Sequence, residues 1–100
     1  MSAVRALLNR EDVLCRIQVA HDNDRVVVRL AGHLTGAQVP DLLAVCAEGD
    51  GHPRIELDEL MSADVIGLDA LLRIQEDGAQ LVGLLEYLQF ELEAVRRRRI

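Results

Sequence analysis

The side chains able to do chemistry are few, and most of their arrangements exclude chemistry. Four carry a hydroxyl (Ser2, Thr35, Ser62 and Tyr87), three are histidines (His21, His33 and His52), two are cysteines (Cys15 and Cys46), and all eleven cationic residues are arginine. Without lysine there is no Schiff-base amine, no anchor for pyridoxal phosphate and no phosphate-loop cation. No two histidines stand at i, i+4 and no His-Glu-x-x-His occurs, so the spacing predicts no metal site. The cysteines lie far apart and read as core thiols of a reducing compartment. Neither Gly-x-Ser-x-Gly nor Gly-x-Gly-x-x-Gly is present, and Gly32 and Gly36 fit no phosphate-cradling pattern. These absences predict a chain that is not an enzyme and needs no cofactor.

Charge narrows the partners. The chain of 100 residues carries a net charge of −6, and Arg96 to Arg99 hold four of its cations, which leaves residues 1–95 with seven arginines against seventeen acids. A surface of that sign repels phosphates, and Tyr87 and Phe90 alone could stack on bases, so nucleic acid is not expected. The arginine run reads as a polar helix end favoured by the helix dipole. Arg5, Asn9 and Arg10 break the few apolar residues of Met1 to Asp12, and no apolar stretch approaches the ~18 residues of a membrane span, so no membrane insertion is expected and the predicted location is cytoplasmic. Half the residues are apolar but only two are aromatic, which predicts one small domain, 1–100, with an aliphatic core over about 13–95 and flexible ends at 1–12 and 96–100.

These residues must be positioned by short elements of alternating type. Val13, Cys15, Ile17 and Val19 alternate with polar residues and predict a half-buried strand near an edge. His21-Asp22-Asn23-Asp24 is a turn cluster, and Arg25 to Ala31, with Val26-Val27-Val28, predicts a second strand that closes a hairpin. Thr35 and Gln38 match a capping box ahead of a helix with a stripe at Val39, Leu42, Leu43 and Cys46, ending near Gly49. Arg54 to Asp58 predicts a strand parallel to the second. A helix through Leu68, Leu71 and Leu72 follows, capped by Asp64 or Ser62; then come a strand over Ala79 to Leu84 and a helix marked by Leu85, Leu88, Leu92 and Val95. The predicted fold is α/β: a mixed sheet with an N-terminal hairpin and two parallel crossovers, its helices largely on one face. Asp58 with Asp22 and Asp24 would suit the acidic pocket of a two-component receiver, but that pocket needs a lysine and a parallel first crossover. They read as a strand-end cap and a solvated turn.

This order, with Val26-Val27-Val28-Arg29-Leu30-Ala31-Gly32-His33-Leu34-Thr35 through the second strand, resembles the STAS domain, the fold of bacterial anti-sigma factor antagonists and of the cytoplasmic tails of sulfate transporters. Ile55-Glu56-Leu57-Asp58 followed by Asp64-Val65-Ile66-Gly67-Leu68 resembles the family's strand, loop and helix head. Ala79-Gln80-Leu81-Val82-Gly83-Leu84 resembles its last strand. The resemblance implies a protein-binding regulator of transcription whose partner is an anti-sigma factor of the serine-kinase type, or a related signalling protein. Asp64, Val65, Ile66, Gly67 and Leu68, with His33, Leu34, Thr35 and Gly36, would form the contact.

In antagonists of the switching type, a Ser or Thr just before the helix-head glycine is phosphorylated. The matching positions here are Ile66 and its neighbour Val65, which cannot accept a phosphoryl group. Ser62 is the best replacement acceptor, but its simpler reading is a loop or capping serine. Val65 and Ile66 either present hydrocarbon to a partner or to a second copy of the chain, or turn inward and extend the Leu68 stripe. His33, at a partner surface, would make recognition sensitive to pH; as an exposed loop residue it would not. Other roles compatible with the resemblance are a scaffold or oligomer subunit of a stress-signalling assembly, the small STAS subunit of a lipid-transport ATPase complex, and a domain holding a nucleotide or lipid at the helix head.

Overall fold

A computed structural model describes residues 4–7 and 15–98. Five strands form one sheet in sequence order: β1 (Val4–Leu7), β2 (Cys15–Asp22), β3 (Arg25–Leu34), β4 (Arg54–Ala63) and β5 (Gln80–Val82). β1–β2 and β2–β3 are antiparallel; β3–β4 and β4–β5 are parallel. The parallel pairs are bridged by α1 (Val39–Cys46) and α2 (Val65–Glu76), and α3 (Glu86–Arg98) closes the chain. This is the α/β order expected from the sequence, with its hairpin and two crossovers.

Period-2 patterning explains the core. Cross-strand neighbours Ile17 and Leu30, Val19 and Val28, and Val28 and Ile55 are buried on the face that the helices cover. Leu42 and Val45 of α1, Leu68, Leu71 and Leu72 of α2, and Leu88, Leu92 and Val95 of α3 complete an aliphatic core. On the opposite face Gln18, Ala20, Val27, Arg29 and Glu56 line a shallow depression. There Arg29 Nη2 lies 3.1 Å from Glu56 across the register, and that carboxylate raises the guanidinium pKa.

Several expectations change. Val4–Leu7, expected within a flexible end, is a strand paired from Val4↔Ala20 to Leu7↔Ile17, so β2 is flanked on both sides rather than at an edge. The expected start of β2 at Val13 lies outside the described residues. The capping box is present, but it opens a 3₁₀ turn, Gly36–Gln38, before α1 begins at Val39. Leu43, assigned to the buried stripe, is exposed, because the inward positions are Leu42 and Val45. β4 runs to Ala63, well past Asp58, and two register shifts against β3 accommodate the additional length. Ser62 is therefore a strand residue, not a loop residue. β5 is shorter than Ala79 to Leu84, and Arg96 to Arg98, expected in a flexible end, are the last turn of α3.

Candidate functional site

β3 and β4 end side by side, and their last residues set up everything at the head of α2. His33 pairs with Ser62 and Leu34 with Ala63 in the parallel register. The Ser62 hydroxyl lies 2.5 Å from His33 Nδ1, joining two side chains that sequence reasoning treated separately. The chain then turns at Asp64, whose backbone N–H donates to the Leu34 carbonyl at 2.9 Å.

Asp64 is the pivot of the site. One carboxylate oxygen accepts from the Gly67 N–H at 2.7 Å, the N-cap bond of α2, while the other accepts from the Gly36 N–H at 3.1 Å. A single side chain therefore caps α2 and ties it to the 3₁₀ turn. That turn is fixed from its other side: Gln38 is buried, and its Oε1 accepts from the Thr35 N–H at 2.8 Å and from the Thr35 hydroxyl at 2.9 Å. The Tyr87 hydroxyl donates to the Met61 carbonyl, pinning the start of α3 to the end of β4.

Gly67 has a packing role that hydropathy could not signal. A Cβ at this position would stand 3.0 Å from both the Leu34 carbonyl oxygen and Leu34 Cγ, so the first turn of α2 rests on the backbone of β3. Leu34, Gly67 and Leu68 are buried and act as supports. His33, Asp64, Val65 and Ile66 are exposed, and Thr35 and Gly36 are half-buried.

The alternatives left open for Val65 and Ile66 are settled by their exposure, 57% and 61%. Neither extends the core. Ile66 leans over Gly36, where a Cβ would meet Ile66 Cγ2 at 3.2 Å. Exposed Met61, at 53%, precedes them in the chain, and Val65 also lines a groove with Ala63, Leu68, Ala94 and Val95. The arrangement offers hydrocarbon on a tightly braced helix tip. Among the described residues no three His, Cys, Asp or Glu side chains gather as for a metal ion.

Elsewhere, burial pushes the Cys46 thiol up to about 11, away from reactive-thiolate chemistry. No helix among the described residues is long and apolar enough to cross a membrane.

The strand order and connections are those that the resemblance implied, an N-terminal hairpin followed by two parallel crossovers. Among solved structures the chain is similar to the crystal structure of an antisigma-factor antagonist, a STAS domain from Rhodobacter sphaeroides, at 21% identity and a TM-score of 0.46 over 83% of this chain and 87% of that one. No family model matches the sequence, and no curated protein does.

Proposed function

We propose that this chain is a protein-binding regulatory module of the cytoplasm, resembling an anti-sigma factor antagonist and docking through the head of α2. In this reading it is not an enzyme. The observation that carries it is the pair Val65 and Ile66, adjacent and more than half exposed at the start of a helix whose cap is doubly hydrogen-bonded. Exposed aliphatic side chains held in one geometry favour a protein partner, because their burial contributes affinity while little ordering entropy is lost.

The partner class comes from the sequence resemblance: an anti-sigma factor of the serine-kinase type, whose capture would free a sigma factor. A phosphate at the α2 head would add about −1.5 to −2 charge to this apolar surface, but neither residue there has an oxygen to carry it. Docking is therefore not switched at the usual position. The alternative of a nucleotide or lipid phosphate at the same place is disfavoured, since Asp64 already occupies the Gly67 N–H and puts a carboxylate where an anion would sit.

The test is titration calorimetry of the purified chain against the serine-kinase-type anti-sigma factors of its own cell, with and without Mg-ATP, followed by phosphopeptide mapping. The expected result is a complex that survives ATP, carries no phosphate on this chain, and is weakened at least about tenfold by Ile66→Asp. Absence of a complex with any of them would refute the assignment, and so would phosphate on Ser62 or Thr35 accompanied by release.

A further inference from the structure

Among the described residues the most exposed large apolar side chain is Phe90, at 72%, on the face of α3 turned away from the core. Leu88, Leu92 and Val95 define the inward side of that helix, and at 100° per residue the outward stripe is Glu86, Phe90, Glu93, Ala94 and Arg97, with Glu93 engaged by Arg96. Charge is divided along the helix. Glu86, Glu91 and Glu93 precede Ala94, and Arg96, Arg97 and Arg98 follow it. Arg96 is engaged by Glu93 at 3.4 Å and Gln75 at 2.9 Å, whereas no salt bridge joins Glu86, Arg97 or Arg98 to another described residue. The helix dipole favours this division of charge, but it does not explain an aromatic ring in solvent at its centre.

We propose that α3 is a self-association surface whose occupant is α3 of a second copy of this chain, packed antiparallel about a twofold axis level with Leu92. In that arrangement Phe90 of each copy seats on Ala94 of the other, large against small. Ala94 borders a groove that also contains Val65, Leu68 and Val95 beside Asp64, Glu91 and Arg98, so the incoming ring meets hydrocarbon rimmed by charge. Glu86 of each copy comes level with Arg97 and Arg98 of the other, at both ends of a helix about 20 Å long. A parallel pairing would set arginine on arginine and glutamate on glutamate, and is repelled. The contact is small beside a standard interface of about 1,600 Å², so the dimer is concentration-dependent, and its exposed ion pairs make it salt-sensitive.

Sedimentation velocity of the whole chain from micromolar to millimolar concentration, at low and high salt, tests this. Wild type is expected to dimerise at the upper end and to weaken with salt. Phe90→Ser abolishes the dimer. Glu86→Arg, and separately the double variant Arg97→Glu with Arg98→Glu, each weaken it at least about tenfold. Mixing these two charge variants restores a dimer, because both contacts in the mixed species again pair arginine with glutamate. Circular dichroism checks that each variant is folded, and Ile66→Asp, which would damage docking at α2, leaves self-association unchanged. A wild type that is monomeric throughout overturns the proposal, as does a dimer indifferent to Phe90 or a mixture that fails to recover.

Discussion

Removing the Asp64 carboxylate should cost far more than an exposed acid normally would. Loss of an N-cap side chain costs about 0.5–2 kcal/mol, typically ~1. The second oxygen bonds the Gly36 N–H from an exposed position, so the low end of the range for bonds to charged groups applies, about 1.5 kcal/mol. Asp64→Ala should therefore cost about 2–3 kcal/mol and lower the urea midpoint by roughly 1–2 M for a chain of this size. Asp64→Asn keeps one acceptor oxygen for the Gly67 cap but turns an NH2 group toward Gly36, and should cost only about 1–1.5 kcal/mol. Equilibrium urea unfolding followed at 222 nm reads both. If the two variants cost the same, or if alanine costs under about 0.5 kcal/mol, the carboxylate does not tie the 3₁₀ turn to α2 and the bracing described above is wrong.

Other consequences are as direct. Gly67→Ala brings a methyl group within 3.0 Å of the Leu34 carbonyl and side chain, and a loss of about 1–3 kcal/mol is expected in thermal or urea unfolding; an unchanged stability would mean that α2 does not rest on β3. Gln38→Met preserves volume but leaves the Thr35 N–H and hydroxyl without their acceptor, which should cost about 1–3 kcal/mol by the same measurement. With its thiol near 11, Cys46 at pH 8 is ionised to on the order of 10⁻³, against roughly a quarter for a free thiol, and the fraction rises with pH. Alkylation of the folded protein should therefore be about two orders of magnitude slower than in urea, where equal rates would contradict the burial of that side chain.

What could be read from the sequence was local. The Thr35–Gln38 box, the Asp64 cap and the alternating core of β2 and β3 each depend on residues within a few positions of one another. β1 was not legible, because Arg5 interrupts its four residues and its support is a register with β2 far along the chain. The Ser62–His33 contact has the same origin: it needs parallel strands 29 residues apart and two register shifts that no hydropathy pattern encodes. At the head of α2 the pattern alone allowed Val65 to continue the Leu68 stripe. What turns it outward is Gly67, the point of closest approach to β3, and glycine carries no hydropathy signal.

The bonds that brace the α2 head converge where the chain gains least by burying anything. Asp64 accepts from two backbone N–H groups, Gln38 holds Thr35 and hence the 3₁₀ turn, His33 meets Ser62, Tyr87 holds Met61, and Gly67 lies against Leu34. An exposed loop kept only for connectivity would carry polar residues here and tolerate motion. Instead, these contacts fix the backbone beneath two β-branched side chains, and β-branching further restricts χ1, so Val65 and Ile66 have little rotamer entropy left to lose. In the proposed reading, rigidity at this apolar, solvent-facing point serves docking. It becomes favourable on association, when the ordering cost has already been met by folding and the hydrocarbon leaves water.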